Sequence, residues 1–347
     1  MSEKRRKKIS IKGFTLLIVP VIVFQIFRIG TLMILALDTA LPTSDNQVSN
    51  KADNANERLN LLLLGEDEAA GLTDVIMIVS LDKQKDEAFV LQIPRDTYAE
   101  YTSSAYRKLN GAKNVLGSGR GLADFFEENL GIKIDHFVLF DLEAVAQTVD
   151  ALGGVEIDIP IDMSYSDPYQ NLKIELKKGV QVLNGEKAKQ FVRFREGYVR
   201  GDLDRLDTQK LFLSALLKKA LSSDMQVLMN VLLKTFSYIE SDLFYEDCLC
   251  MIRDLKNLST QSVFFITLPG ADIRGSSGAW YYIMNRDTAY GIISEKFSNG
   301  ITYNEFDKNR KFTSTVRSGF NDIYEAKNEK EPAFYSADEI NNVKITQ

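Results

Sequence analysis

Between residues 59 and 97 the chain packs three apolar runs in quick succession, and their spacing dictates a sheet. Leu59–Leu64, Val75–Leu81 and Glu87–Ile93 each have the length of a buried strand. The polar segment Asp82-Lys83-Gln84-Lys85-Asp86 joins the second run to the third as a hairpin. Asp67 falls just past the first run and Asp74 just before the second. If those two strands lie side by side, both carboxylates meet at one rim of the sheet. Pro94 stops the third strand, and Arg95 and Asp96 leave from its end. Two acids and an arginine at strand ends suit a hydrated cation that bridges to phosphate oxygens. Taken alone, the two aspartates also fit ordinary turn positions.

The amino terminus sets the cellular context. Lys4-Arg5-Arg6-Lys7-Lys8 precedes a predominantly apolar segment, residues 14–37. As a helix at about 1.5 Å per residue, that segment spans roughly 36 Å, more than a hydrocarbon core of about 30 Å. Pro20, Gln25 and Arg28 interrupt it. Arg28 costs about 3 kcal/mol at mid-helix, against roughly 5–10 kcal/mol returned by the surrounding Ile, Leu, Phe and Val, so insertion wins. The basic flank, residues 1–13, stays cytoplasmic, and the chain after Asp38 faces outward. A cleaved signal peptide fits less well, because the apolar region is long and no clear small-x-small site follows it. Residues 38–58 are polar and aperiodic, and read as a spacer.

Charge and composition then exclude several classes. Residues 1–13 carry six Lys/Arg and one Glu; taking that +5 from the net charge of -6 leaves -11 on the remainder. An acidic body argues against bulk nucleic-acid binding. His136 is the one histidine, which excludes a multi-histidine zinc site and disfavours a Ser-His-Asp triad. Cys248 and Cys250 stand too close for a good disulfide and are too few for a metal; they read as small buried hydrophobes.

Further along, Lys108-Leu109-Asn110-Gly111 reads as a loop. Gly117-Ser118-Gly119-Arg120-Gly121 precedes a helical stretch, Leu122–Leu130. It resembles a phosphate-cradling loop but lacks the Lys-Ser/Thr ending, so a plain loop entering a helix is the preferred reading. His136 sits in a strand-like segment in a structural role. A short helix over Ala144–Leu152 ends at Gly153-Gly154, and residues 155–163 alternate as a half-buried strand. A second cluster begins at Leu183, where a short helix leads into Phe191-Val192-Arg193-Phe194-Arg195. If that segment is extended, Arg193 and Arg195 share one face and repel each other unless an anion lies between them. Two surface arginines on an edge strand are the alternative. Leucines from Leu203 to Leu221 give helical periodicity, with Arg205 and Gln209 four apart near its start. There they either add donors where the helix dipole favours an anion or form a surface pair. Two more helical segments lie between Met225 and Leu258. Residues 299–347 are polar and are expected to be poorly ordered.

With these segments in hand, the chain resembles the LytR-CpsA-Psr family. The likeness rests on LLLLGEDE, TDVIMIVSLD, LQIPRDTY, KLNGA, LGIKIDHFVLFD, VDALGGVEIDIPIDMSYSD, LKKGVQVLNGEKAKQFVRFR and GDLDRLDTQK, in that order, from about Leu59 to Phe297. It implies an α/β fold, an α/β/α sandwich around a central mixed β-sheet, preceded by one transmembrane helix. The implied layout is a cytoplasmic tail at 1–13, an anchor at 14–37, a linker at 38–58, a catalytic domain at 59–298 and a polar tail at 299–347. It implies a single-pass cell-membrane protein with its carboxy-terminal domain extracellular. The implied activity moves a glycopolymer (teichoic acid, capsule or related) from a polyprenyl-diphosphate carrier to a peptidoglycan hydroxyl, with magnesium as cofactor and an apolar channel for the lipid. A phosphodiester forms and polyprenyl monophosphate leaves. Carried over by position, Asp67 and Asp74 match the magnesium-associated acids. Arg95, Arg193 and Arg195 match diphosphate-contacting residues, as do Arg205 and Gln209, with Lys108 and Asp96 joining the substrate-binding set. Asp74 and Asp96 are the candidate bases. Two positions depart from the pattern: Leu72 and Thr208 stand where the family commonly has arginine. Those departures leave a non-catalytic polyprenyl-diphosphate or cell-wall binding protein, or a diphosphate-lipid hydrolase, as alternatives. A membrane-bound transcription regulator is disfavoured, since 13 cytoplasmic residues cannot build a DNA-binding domain.

Overall fold

β1 (Arg58–Asp67) and β2 (Leu72–Asp82) pair antiparallel, with Leu62 opposite Ile78. The turn at residues 83–86, closed by Asp86 at φ 50°, brings β3 (Glu87–Gln92) back alongside β2. The expected hairpin is therefore present. This computed structural model describes residues 58–67, 71–101, 107–170, 172–196, 202–274, 278–298, 301–308, 311–312, 315–316, 324–325 and 334–340. The chain divides into two units, residues 1–55 and a larger one that begins at Asn56, and every strand and helix below belongs to the larger. The cytoplasmic tail, the expected membrane span and residues 38–57 of the spacer lie outside the described residues. Among the described residues, no helix is long and apolar enough to cross a membrane.

Around the opening unit the sheet grows on both sides. β4 (His136–Phe140) runs parallel to β1, and the crossover carries α1 (Ala112–Leu116) and α2 (Gly119–Leu130). Two small ladders follow: β5 (Val155–Ile159) with β8 (Gly179–Leu183), and β6 (Met163–Asp167) with β7 (Leu172–Leu176). In β5 the buried Val155, Ile157 and Ile159 alternate with exposed Glu156 and Asp158, as expected of a half-buried strand. β9 (Ile239–Ser241) adds antiparallel to β4, and β10 (Val263–Thr267) adds parallel to β3. β11 (Gly270–Arg274) and β12 (Trp280–Met284) form a hairpin, β13 (Thr315–Val316) pairs with β14 (Tyr324–Glu325), and β15 (Tyr335–Ser336) closes the far edge on β10. Among the described residues the main sheet is thus seven-stranded and mixed, in the order β15-β10-β3-β2-β1-β4-β9.

Both faces of this sheet are covered, which is why its central strands read as continuous apolar runs. Leu62, Leu64, Ile76, Ile78, Phe89 and Leu91 face one core, packed with Leu122 and Phe126 of α2 and with Ile292 and Ile293 of α8 (Arg286–Lys296). Leu63, Val75, Met77 and Val90 face the other. That side is built from α3 (Leu142–Ala151), α4 (Gly185–Arg193), α5 (Asp202–Ser222) and α6 (Met225–Thr235), through Val149, Phe191, Phe212 and Leu228. α7 (Tyr245–Leu255) flanks α6. The helix expected over Ala144–Leu152 begins two residues earlier because Asp141 caps it, accepting from the Ala144 amide at 2.7 Å.

Two expectations need correction. The segment after residue 298 is not merely a loose tail. α9 (Tyr303–Lys308) delivers Phe306 to the core, Phe312 follows it, and the Arg286 side chain donates to both of their carbonyls. Further on, β15 joins the main sheet, and Ala337 and Ile340 are buried in the second core. Polar composition hid these few anchors. The cysteines also divide: Cys248 is buried but Cys250 is exposed. The core role of the late segment predicts that Phe306→Ala destabilises the body by about 3–5 kcal/mol. Chemical denaturation should show the midpoint falling with an unchanged slope.

Candidate functional site

The pairing of β1 with β2 slips once. Gly65 stands opposite Val75 but Glu66 stands opposite Thr73, so Asp74 is the extra residue of a bulge. A bulge re-aims the side chains it carries. Here Asp74 and Val75 both line one cavity of about 150 Å³, while Thr73 is fully buried. Gly65 permits the close approach, because a Cβ there would lie 2.9 Å from Cβ of Val75. Asp74 is therefore inside β2 and not ahead of it, as its spacing from the apolar run suggested. The backbone of Asp67 likewise lies inside its strand, as the last residue of β1 opposite Leu72, and not past the strand's end; the position of its side chain lies outside the described part of the structure.

Three guanidinium groups from three different elements converge on the Asp74 carboxylate. Arg95, just beyond β3, places Nη1 2.6 Å from Oδ1. Arg195, two residues past α4, donates to Oδ2. Arg205, in the first turn of α5 and only 5% exposed, places Nη1 3.8 Å from Oδ2. Burial works against an ionised Asp74, but the neighbouring Arg95, Arg195 and Arg205 outweigh it and hold the carboxyl below its ordinary value. The guanidiniums of Arg195 and Arg205 and the Asp74 carboxylate thus line the cavity beside the N-terminal turn of α5.

Arg193 and Arg195 do not lie on one extended strand. Asn184 caps α4 by accepting from the Lys187 amide, and Ala188 and Phe191 bury the helix as far as Arg193. The chain becomes extended only at Phe194, which is itself buried. Both arginines nevertheless line the same cavity. Arg205 and Gln209, one turn apart on α5, line it too. Thr208 lies between them and turns away, donating from its hydroxyl to the Asp204 carbonyl at 2.9 Å. The cavity walls are apolar: Leu63, Met77, Phe140, Val145, Phe212 and Leu213 face it. The arrangement suits a ligand with an anionic head and an apolar tail.

Two expected substrate-binding residues lie elsewhere. Lys108 pairs with Asp96 at 3.0 Å and sits over the ring of Tyr281, and neither lines the cavity. Lys108 opens the short turn Leu109–Gly111, whose backbone ties to Arg95 and Thr97 and turns its side chain toward the β11/β12 hairpin. The glycine-rich loop is a plain helix start, as preferred: Ser118 caps α2, and Arg120 donates to the carbonyls of Ile134 and Asp135. His136 sits in β4, 3.5 Å from Asp242 and outside the cavity lining. Two acids that the sequence did not single out do line the cavity, Glu66 and Asp141. Lys113 holds Glu66 at 2.7 Å, and Asp141 is the cap of α3. The apolar strand ends that carry them offered no signal beyond position.

The donor set for a divalent cation is thin. Among the described residues, no three His, Cys, Asp or Glu side chains cluster as a metal site. Magnesium needs few protein ligands, commonly one or two carboxylates completed by phosphate oxygens and waters. Asp74, whose ionised form the neighbouring arginines favour, is a carboxylate of that kind.

The depressed Asp74 carboxyl carries a pH signature. Its charge stabilises the fold above the ordinary value of 3.8, and that contribution disappears as pH falls through the lowered folded-state value. Wild type should therefore exceed Asp74→Asn in stability by a constant margin near neutrality, with the margin shrinking only below pH 3.8. Urea titrations across pH 3 to 7 on both proteins measure it.

Known proteins share both the sequence pattern and the fold. A sequence model of the LytR_cpsA_psr family matches residues 33–296. The chain is 27% identical over 234 residues to the polyisoprenyl-teichoic acid--peptidoglycan teichoic acid transferase TagV of Bacillus subtilis (strain 168). That match covers 64% of this chain and 60% of TagV, so the chain spans less than two thirds of that relative's length. It is 28% identical over 256 residues to the like-named TagU of Bacillus mycoides (strain KBAB4), covering 72% of this chain and 81% of that one. The crystal structure of B. subtilis TagV has the same fold, with a TM-score of 0.60 at 24% identity, over 71% of this chain and 98% of that one.

Proposed function

The chain belongs to the LytR_cpsA_psr family, and from that membership we propose that it is a phosphotransferase acting at the outer face of the cell membrane. It moves a glycopolymer of the teichoic-acid or capsule kind from a polyprenyl-diphosphate carrier to a hydroxyl of peptidoglycan. Residues 14–37 anchor it by a single span, with residues 1–13 in the cytoplasm. The relatives TagV and TagU carry the name of such a transferase, which supports the reading. The observation that carries it is the convergence of Arg95, Arg195 and Arg205 on Asp74, with Asp74, Arg195 and Arg205 lining an apolar-walled cavity.

In this reading the diphosphate replaces Asp74 as the main partner of the arginines, and the polyprenyl chain lies along Leu63, Met77, Val145 and Phe212. The acceptor hydroxyl attacks the phosphorus next to the glycopolymer and releases its proton to water. The bridging bond of the diphosphate breaks, and polyprenyl monophosphate leaves with the extra negative charge. Arg95, Arg195 and Arg205 are placed to neutralise charge that accumulates on the phosphoryl oxygens, which needs no histidine. Gln209 adds a polar contact from the same helix face as Arg205. Asp74, with Asp67 from the neighbouring strand end, would hold magnesium, which supplies further charge neutralisation when bound. Asp96, tied to Lys108, does not line the cavity as a base.

The test is transfer by the full-length protein in detergent, with a short polyprenyl-diphosphate sugar, magnesium and a peptidoglycan oligomer. Arg205→Ala should lower conjugate formation by about 100-fold or more, the scale for removing one preorganised charge donor. Release of lipid monophosphate without conjugate would point to hydrolysis. Tight binding of the lipid without turnover would make the protein a binder and overturn the transferase reading.

A further inference from the structure

Beside the arginine cluster lies a buried pair of amides whose orientation is dictated by the backbone. Gln92 ends β3 and is 1% exposed. Its side-chain amide lies 3.2 Å from the Leu206 carbonyl and 3.0 Å from the side-chain amide of Gln209. A backbone carbonyl only accepts, so the Gln92 atom that meets it is Nε2, a donor. The Gln209 atom that meets the same Nε2 must then be its acceptor, Oε1. The amide of Gln209 is thereby left with its NH2 end turned away from Gln92, and Gln209 lines the cavity that holds Arg193, Arg195 and Arg205. Gln92 itself is held in place by the sheet: it pairs with Met77 of β2 and Thr267 of β10, and its carbonyl accepts from Leu268 at 2.8 Å.

We infer that Gln92 is a positioning residue which, braced by the Leu206 carbonyl, locks Gln209 as a hydrogen-bond donor toward an anionic group in the cavity. The inference deepens the proposed function and rests on it for the identity of the anion. An amide free to turn presents a carbonyl oxygen as readily as a donor, and the oxygen repels phosphate. Locking removes that wrong state and the entropy cost of selecting the right one. It also supplies, from β3, polar recognition in a helix where Thr208 has turned its hydroxyl back to its own backbone.

The test is a double-mutant cycle on the full-length protein, read as affinity for farnesyl diphosphate, with farnesol as the uncharged probe. Gln209→Met should weaken farnesyl diphosphate binding about 10-fold, the scale of one hydrogen bond to a charged group. Gln92→Met should weaken it about 3-fold, with farnesol affinity unchanged in both. In the double variant the Gln92 effect should vanish, because Gln92 acts only through Gln209. A Gln92 effect that persists in full in the Gln209→Met background, or that falls equally on farnesol, assigns it a purely structural role and overturns the inference. In the wild type, the side-chain NH2 resonances of Gln209 should shift on adding farnesyl diphosphate while those of Gln92 stay; the reverse overturns it without any variant. If the wild type binds farnesyl diphosphate no better than farnesol, the functional reading itself fails, and the inference with it.

Discussion

The contact on which the site depends is the one between Asp74 and the guanidiniums of Arg95, Arg195 and Arg205. Those arginines arrive from a strand end, from the exit of one helix and from the first turn of another. Like charges brought this close separate unless something negative lies among them. Asp74 supplies negative charge there, because a bulge turns it onto the face of the sheet where the three meet. The cluster is thus preorganised around an internal anion weaker than the one proposed to displace it, so little rearrangement accompanies binding.

The rest of the fold serves to keep that point fixed while leaving space next to it. The sheet is packed on both faces, and its central strands β1, β2 and β3 carry Gly65, Asp74 and Gln92 within one rigid surface. On one face the packing is filled by α2, α8 and the late aromatic residues Phe306 and Phe312. On the other, α3, α4 and α5 stand over the strands and leave an apolar cavity between. A site built on strand ends and helix starts holds its geometry better than one built on loops. The cavity puts charge and apolar surface side by side, as an amphipathic lipid phosphate requires.

Much of this was legible in the residues. The three apolar runs announce buried strands because a sheet covered on both faces leaves no room for alternation. Arg205 and Gln209 share a helix face by spacing alone, and both reach the cavity. What stayed hidden is tertiary. The register slip at Gly65 has no mark in the sequence, so Asp74 read as a residue ahead of its strand. The VRFR segment shares a face for Arg193 and Arg195 only if it is extended, but the Asn184 cap and the buried Phe191 carry the helix through Arg193. Lys108 and Asp96 resembled site residues by position, yet they satisfy each other beside Tyr281. Phe306, Phe312 and Ile340 sit in polar surroundings that disguised their burial. Gln92 was invisible as anything but a strand residue, since its partners come from α5, far along the chain.

The central claim is that the arginines around Asp74 form a diphosphate site, and a crystal structure with a non-hydrolysable polyprenyl diphosphonate tests it most directly. The account predicts phosphonate oxygens within hydrogen-bond distance of Arg95, Arg195 and Arg205, with the lipid chain against Val145 and Phe212. A diphosphonate bound elsewhere, with the Asp74–arginine contacts unchanged, would contradict it.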